Sequence, residues 1–291
     1  MQENALHTDL GGERIRTALL LAAGTGSRLS PLTDMTPKCL VHVNEFTILE
    51  RLIRSLQEHD FKRLVIVVGH QADSVREYLG TRAGGMEISY ITSPLYKTTN
   101  NIYSLWLARH IIDEPFMLIE SDLVFDPQML EGMLVADRIA VGKIRPWMNG
   151  TTVTVNRLNE VDAFHCGVKK LDQSHFKTVN IYSLSRATWA LVCEKLDYYI
   201  SNNRVNGYYE TVFADMVDDG SLTFSPVYFD SSLWYEIDTL EDLKAAEGVC
   251  DLFDQQLPLP NELFISSPSL AAHSVGLEGA GSSTSVSKVV H

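Results

Sequence analysis

Leu19–Val41 reads LLLAAGTGSRLSPLTDMTPKCLV, and the order of residue types in it decides the fold class. An apolar run over 17–23 leads without a break into Gly24-Thr25-Gly26-Ser27-Arg28. Glycines at 24 and 26 let the backbone take left-handed angles and approach a ligand with no Cβ in the way, so successive N–H groups can converge on phosphate oxygens. Arg28 and Lys38 add two cations at the ends of the same loop, one a planar fork and the other a compact point charge. The spacing excludes the two commonest phosphate loops. The lysine arrives fourteen residues after Gly24, too late for G-x-x-x-x-G-K-[ST], and no third glycine completes G-x-G-x-x-G. A glycine-rich turn beside solvated cations would explain Gly24 and Gly26, but not Arg28 and Pro37-Lys38 in register with them.

Outward from this stretch, strands alternate with helices as far as about Asp126. Strands are predicted over 17–23, 64–68, 86–91 and 116–120, and helices over 47–59, 72–79 and 101–112. Alternation of this kind implies βαβ units and a mostly parallel sheet with right-handed crossovers. Ligands bind beyond the carboxyl ends of such strands, where both the Gly24 loop and the Ser121-Asp122 turn fall. The middle differs: 151–156 and 163–171 read as an antiparallel hairpin or small sheet projecting from the core, followed by a strand over 176–184. Helices at 185–200 and 208–217, strands at 222–228 and 234–237, and a helix at 240–250 complete the pattern. The expected fold class is α/β, a mostly parallel Rossmann-like sheet flanked by helices, with a small antiparallel β insertion and a disordered C-terminal tail. The division that follows is a flexible 1–15, a domain over 16–253, and a Ser/Gly/Pro-rich tail or linker over 254–291.

Composition bounds the function. The chain has 291 residues, 45% of them hydrophobic and 21% charged, ordinary for a globular protein. No apolar run approaches the ~18–20 residues of a membrane helix, and the first sixteen residues carry no signal-peptide core, so a cytoplasmic protein without a membrane partner is expected. Cys39, Cys166, Cys193 and Cys250 are scattered, without C-x-x-C pairs, which indicates neither a zinc site nor a disulfide framework. A formal net charge of −13 argues against nucleic acid. If the ligand is a polyanion, cations inside the cleft must reverse the field locally.

The run Leu21-Ala22-Ala23-Gly24-Thr25-Gly26-Ser27-Arg28, with Pro37-Lys38 about ten residues on, resembles the signature of the nucleotidyltransferase (sugar-nucleotide pyrophosphorylase) superfamily. The likeness covers Thr17 to about Phe253. It implies attack of a phosphate or phosphonate oxygen on the α-phosphorus of a nucleoside triphosphate, chemistry that requires positioning and charge neutralisation. By the same resemblance, Leu21, Ala22, Ala23, Gly24, Thr25, Gly26 and Ser27 bind the nucleotide. Arg28 stabilises departing pyrophosphate, and Lys38 touches the α-phosphate and the acceptor oxygen. Asp122 in LIESDLVF and Asp238 in LWYEIDTLEDL match the family's two metal-binding aspartates, and Mg²⁺ is the expected cofactor. Capping of the turn by Asp122, or of the following helix by Asp238 with Thr239, is the structural alternative.

In place of a sugar-specific acceptor loop the chain has TTNNIYSL over 98–105, which resembles the phosphocholine and phosphonate cytidylyltransferase branch, as does ESDL over 120–123. Asn100, Asn101 and Ser104 would meet a ribose or pyrimidine edge, although either asparagine could serve only as a helix cap. Lys177 and Asn180 are candidates for the acceptor. Tyr209, Glu210 and Trp234, with Tyr208 and Tyr235, could enclose a small cation; aromatic core packing is the competing explanation. The expected reaction joins CMP from CTP to 2-hydroxyethyl- or 2-aminoethylphosphonate or phosphocholine. A sugar-1-phosphate nucleotidylyltransferase and a non-catalytic regulatory subunit of the same fold are the alternatives. The tail carries Ser267-Pro268-Ser269-Leu270 ahead of Ala272-His273 and Gly276-Leu277. That order is similar to the opening of phosphoenolpyruvate mutase domains, with chance order as the rival explanation. It raises the expectation of fusion to, or partnership with, another biosynthetic enzyme.

Overall fold

The computed structural model describes residues 14–145, 148–167 and 174–254. The expectations placed on residues 1–13 and on the tail from 255 lie outside the described residues. Strand β1 (Thr17–Ala22) is buried along its whole length because the sheet is covered on both faces. Ala18, Leu20 and Ala22 face one apolar layer, while Leu19 and Leu21 face the other. A strand buried on two faces reads as a continuous apolar run, which is why it was legible in the sequence.

A short hairpin, β2 (His42–Val43) and β3 (Phe46–Thr47), leads into α1 (Ile48–Glu58). A capping box starts that helix: Thr47 Oγ1 accepts from Glu50 N at 3.0 Å, and Glu50 Oε2 accepts from Thr47 N at 2.7 Å. The chain continues through β4 (Arg63–Val68), α2 (Ala72–Leu79), β5 (Arg82–Ala83), β6 (Met86–Thr92) and α3 (Asn101–Leu107). The predicted helix over 101–112 is therefore shorter, giving way to a 3₁₀ turn at Ala108–His110. Next come β7 (Phe116–Glu120), β8 (Leu123–Phe125), β9 (Arg138–Lys143), β10 (Thr152–Val155), β11 (Val161–His165) and β12 (His175–Leu184). The last elements are α4 (Arg186–Ser201), α5 (Glu210–Asp218), β13 (Ser225–Phe229), β14 (Trp234–Glu236) and α6 (Leu240–Cys250).

Four strands in the order β7-β1-β4-β6 run parallel, and β5 closes that edge antiparallel. On the other side β12 pairs antiparallel with β7, then runs past it to pair with β10 and β9. Strand β13 joins β9 in parallel, and β11 joins β10. The expected antiparallel pair is present as β10 with β11, and it continues the main sheet through β12 instead of projecting from it. Strand β9 had no counterpart in the sequence reading. It holds Ile139, Ala140 and Val141 in the core, and at Gly142 an added Cβ would lie 3.0–3.1 Å from the Trp234 ring.

Strands β8 and β14 form a small antiparallel pair beside the main sheet. It brings two turns together: Ile237 N donates to Asp122 O at 2.9 Å. No helix among the described residues is long and apolar enough to cross a membrane.

Candidate active site

The loop after β1 is fixed by its own backbone and by what lies beneath it. Gly26 adopts φ 63°, and its carbonyl accepts from Thr33 Oγ1 at 2.8 Å and from Leu29 N at 2.9 Å. Gly24 does not take the left-handed angle expected of it. A Cβ there would meet nothing within 4 Å, so its side faces open space. Gly69 is needed for a different reason: a Cβ on it would fall 2.6 Å from Ala23 O and 2.7 Å from Tyr96 Cβ. His70 follows and pins the loop, donating from N to Ala23 O at 3.1 Å and lying 3.1 Å through Nε2 from Thr33 O.

The loop forms one wall of a cavity of about 270 Å³. Leu21, Ala23, Gly24, Gly26, Ser27, Arg28 and Lys38 line it, as do Asn100, Asn101, Ser104, Asp122 and Asp238. Residues separated by more than two hundred positions therefore meet at the carboxyl ends of the strands. Of the nucleotide-side residues singled out from sequence, Ala22 and Thr25 are not on the wall; Ala22 packs in the core.

Lys38 sits at the centre of this arrangement. Its Nζ lies 2.8 Å from Asp122 Oδ2 and 2.8 Å from Asp238 Oδ1, and Arg28 Nη2 reaches the same Asp238 oxygen at 2.8 Å. The Lys38 side chain is only 13% exposed, whereas that of Arg28 is 65% exposed. Burial alone would pull the Lys38 ammonium toward neutrality, but the two carboxylates outweigh it and its pKa stands well above the ordinary lysine value. Asp122 Oδ1 is buried and has no hydrogen-bond partner. The capping alternative holds for Thr239, which caps α6 and accepts from Asp242 N at 3.2 Å, and leaves the Asp238 carboxylate to Lys38 and Arg28.

On the α3 side the capping alternative succeeds for one asparagine. Asn100 is the N-cap, its side chain accepting from Asn101 N at 2.8 Å. Asn101 ties three elements: its Nδ2 donates to Glu120 Oε1 at 3.0 Å and its Oδ1 accepts from Tyr209 N at 3.1 Å. Glu120 is half-buried at the end of β7, and desolvation there, with Asp122 and Glu210 nearby, holds its carboxyl well above the usual range.

The acceptor candidates lie beneath the cavity wall. Tyr209 and Trp234 are 0% and 1% exposed; Tyr209 packs in an aromatic cluster with Tyr182 and Phe213. The structure thus corrects the aromatic cage: these two rings are core. Lys177 is buried too, its Nζ 3.1 Å from Glu236 Oε2 and donating to Thr178 O at 2.9 Å. Asn180 occupies the irregularity in the pairing of β12 with β9, at φ 61°, and donates to Glu236 Oε1 at 3.2 Å. Glu210 opens α5 and is buried. Its burial pushes its carboxyl up to about 7.

Tyr96, Thr99, Glu120 and Ser121 also line the cavity but were not selected as site residues; Tyr208, named only with the aromatic cage, lines it too. Glu120 and Ser121 sit in the quoted ESDL run, and Gly69 at a strand end was the only signal that could have pointed to Tyr96.

Comparison with known proteins agrees with this geometry. Residues 17–144 match the profile of the nucleotidyl transferase family. The CMP-5'-(3-aminopropyl)phosphonate synthase of Streptomyces rubellomurinus is 32% identical over 248 residues, 79% of this chain and 38% of that protein. The choline-phosphate cytidylyltransferase of Streptococcus pneumoniae is 33% identical over 111 residues, 37% of this chain and 45% of that protein. The chain therefore spans less than half the length of these two relatives. A solved structure of CTP:phosphocholine cytidylyltransferase from Streptococcus pneumoniae superposes with a TM-score of 0.67 at 23% identity, covering 81% of this chain and 99% of that one. Residues 17–144 are thus similar to the nucleotidyl transferase family, and the described residues share the Rossmann-like fold of that solved structure.

Proposed function

We propose that this domain, carried by residues 16–253, transfers CMP from CTP to a small phosphonate or phosphate ester. An acceptor oxygen attacks the α-phosphorus, the new O–P bond forms as the bond to the β-phosphate breaks, and pyrophosphate leaves with the electron pair. The observation that carries the reading is Lys38 held 2.8 Å from both Asp122 and Asp238 at the mouth of the glycine loop. Three chain segments converge there, which supports a meeting of α-phosphate and acceptor at this point. The names of the two relatives, both cytidylyl or CMP enzymes, support the choice of nucleotide.

The cavity walls present Arg28 and Lys38 against Glu120, Asp122 and Asp238, so the side chains alone do not favour a triphosphate. A divalent cation corrects the sign. Among the described residues no group of three or more His, Cys, Asp or Glu could hold a metal by itself. Asp122, with its unpartnered Oδ1, and Asp238 suit Mg²⁺, which takes one or two carboxylates and completes its shell with water and substrate phosphates. When bound it would neutralise charge on the phosphates. Lys38, released from the carboxylates, holds the α-phosphate and the acceptor oxygen together, and Arg28, exposed at the rim, meets the leaving pyrophosphate. Asn100 and Ser104 face the nucleoside.

The test is pyrophosphate release from each of the four nucleoside triphosphates against phosphonates, phosphocholine and hexose 1-phosphates, with Mg²⁺. Release with CTP and a phosphonate or phosphocholine is expected. Release only with hexose 1-phosphates would assign the domain to sugar activation instead.

A further inference from the structure

Three carboxylates line the cavity, and two of them, Asp122 and Asp238, are engaged by Lys38. The third, Glu120, has no task in the transfer step. Its place is fixed by rigid elements: it ends β7 in register with Leu21 of β1, and both residues line the cavity. Asn101, at the start of α3, clamps it. Asn101 Nδ2 donates to Glu120 Oε1 at 3.0 Å, while Asn101 Oδ1 accepts from Tyr209 N at 3.1 Å. Among the described residues Glu120 Oε2 makes no hydrogen bond and the carboxyl makes no ion pair. The wall therefore presents a positioned acceptor that is still open to a donor.

Chemistry narrows what can meet it. A carboxylate repels phosphate, and a nucleoside carries no cation, so the partner is a neutral donor, either a sugar hydroxyl or an amino group of a base. The covalent order of a nucleotide decides between the two. Lys38, 2.8 Å from Asp122, marks the α-phosphate end of the cavity. Glu120 stands two positions before Asp122, with Ser121, another wall residue, between them. Cα atoms two residues apart are separated by ~7 Å at most, which is the scale of one sugar. Ribose is bonded directly to the α-phosphate, whereas the amino group of a base lies a whole ring further out.

We propose that Glu120 accepts a hydrogen bond from the ribose of the nucleotide and selects ribonucleoside over deoxyribonucleoside triphosphates. This rests on the nucleotidyl-transfer reading above and assigns that site its sugar selectivity. A ribose hydroxyl gives the carboxylate the donor it lacks, in a charge-assisted hydrogen bond. A deoxyribose leaves the oxygen unpaired against the sugar ring, the condition under which a site discriminates most strongly.

The experiment uses the full chain with Mg²⁺, as wild type, Glu120→Ala and Glu120→Gln. The readout is the ratio of kcat/KM for CTP to that for 2′-deoxy-CTP and for 3′-deoxy-CTP with one fixed acceptor, so that any loss of folded protein cancels. A wild-type ratio of about tenfold or more against at least one deoxy analogue is expected, carried by KM and falling to about one in Glu120→Ala. Glu120→Gln keeps an acceptor oxygen without the charge, and an intermediate ratio is expected. Wild-type ratios near one against both analogues, or ratios that Glu120→Ala leaves unaltered, overturn the assignment. Should Glu120→Ala not fold, unaltered ratios in Glu120→Gln overturn it. With the deoxy ratios intact, a collapse of the CTP-to-UTP ratio in Glu120→Ala moves Glu120 to the base, and a raised Mg²⁺ requirement moves it to the metal; each overturns the sugar contact. Cytidylyl transfer fails separately, if another triphosphate is used or no acceptor is turned over. Calorimetric Kd values for the ribonucleotide bound best and for its two deoxy forms, in wild type and Glu120→Ala, then decide the sugar contact, and equal values or no binding overturn it.

Discussion

Lys38 and Lys177 are two lysines with carboxylate partners in two halves of one sheet, and they teach different lessons. Lys38 lies on a loop beyond the parallel strands, between Asp122 and Asp238, on the wall of the cavity. Lys177 lies within an antiparallel strand, 3% exposed, with its donors committed to Glu236 and to a backbone carbonyl. The same chemistry is available for catalysis in the first place and tied into the fold in the second. Substitutions should separate the two.

The largest effect is expected at the Lys38 end. Asp122→Ala should lower kcat with Mg²⁺ by two powers of ten or more, roughly 3 kcal/mol in the barrier, with little change in Tm. Near-wild-type turnover in that variant would remove Asp122 from the metal site. Lys38→Met should cut the rate on a similar scale and raise the acceptor KM, because one ammonium must hold two anions. An unchanged acceptor KM would confine Lys38 to the nucleotide.

Lys177→Met should register in stability first. It strands Glu236, whose carboxyl burial already holds above its usual range. Breaking a fully buried pair costs about 3–5 kcal/mol, and because the Glu236 side chain is 25% exposed the expected loss is smaller, about 2–3 kcal/mol. Denaturant unfolding measures it. A Lys177→Met protein as stable as wild type but unable to use acceptor would move Lys177 into the functional class occupied by Lys38.

The contrast also governs what could be read in the sequence. The Gly24 loop and the two aspartates were legible because each follows a strand end, and Arg28 and Lys38 because they stand at fixed spacing after that loop, in short runs whose residue types answer to backbone geometry or charge. The parallel strands were legible from continuous apolar runs. Strand β9 was not: its apolar stretch is short and its partners, β12 and β13, lie 32 or more positions further along the chain. The surroundings of the residues proposed for the acceptor were not legible. Lys177, Asn180 and Glu210 were picked out, but residue type alone could not show that Lys177 is spoken for by Glu236. Nor could it show that Tyr209 and Trp234 fill the core. Asn101 shows the same limit, since its ties to Glu120 and Tyr209 cross 19 and 108 positions.

A smaller effect concerns pH. Glu210 titrates near an ordinary carboxylate value when unfolded and is pushed up to about 7 in the fold. The folded state therefore holds a proton that the unfolded state has lost, so stability from this group is fully present at low pH and is lost as pH rises through about 7. The full linkage is on the order of 2–3 kcal/mol. Replacing Glu210 with Gln should flatten the fall in Tm between mildly acidic and alkaline pH. An equally steep profile in Glu210→Gln would assign the dependence to Glu120, which burial shifts in the same direction.

The smallest effect separates backbone from side chain within the Lys38 half itself. Gly26→Ala forces a Cβ onto a residue at φ 63°, with Thr33 Cγ2 3.1 Å away and Lys38 Cβ 3.3 Å away. A left-handed alanine costs about 1 kcal/mol, and Thr33 must give by a few tenths of an ångström. Thr33 is the residue whose hydroxyl holds the Gly26 carbonyl, so the loop and the base of Lys38 shift together. Gly24→Ala meets no such obstacle in the free protein, since its Cβ would point into open space. The expected pattern is a lowered Tm for Gly26→Ala, and for Gly24→Ala an unchanged Tm with weakened nucleotide binding, because the methyl group occupies the approach that the phosphates use. Equal loss of Tm in both variants would mean that the loop is held as a single strained unit. Normal nucleotide affinity in Gly24→Ala would place the triphosphate elsewhere along the wall.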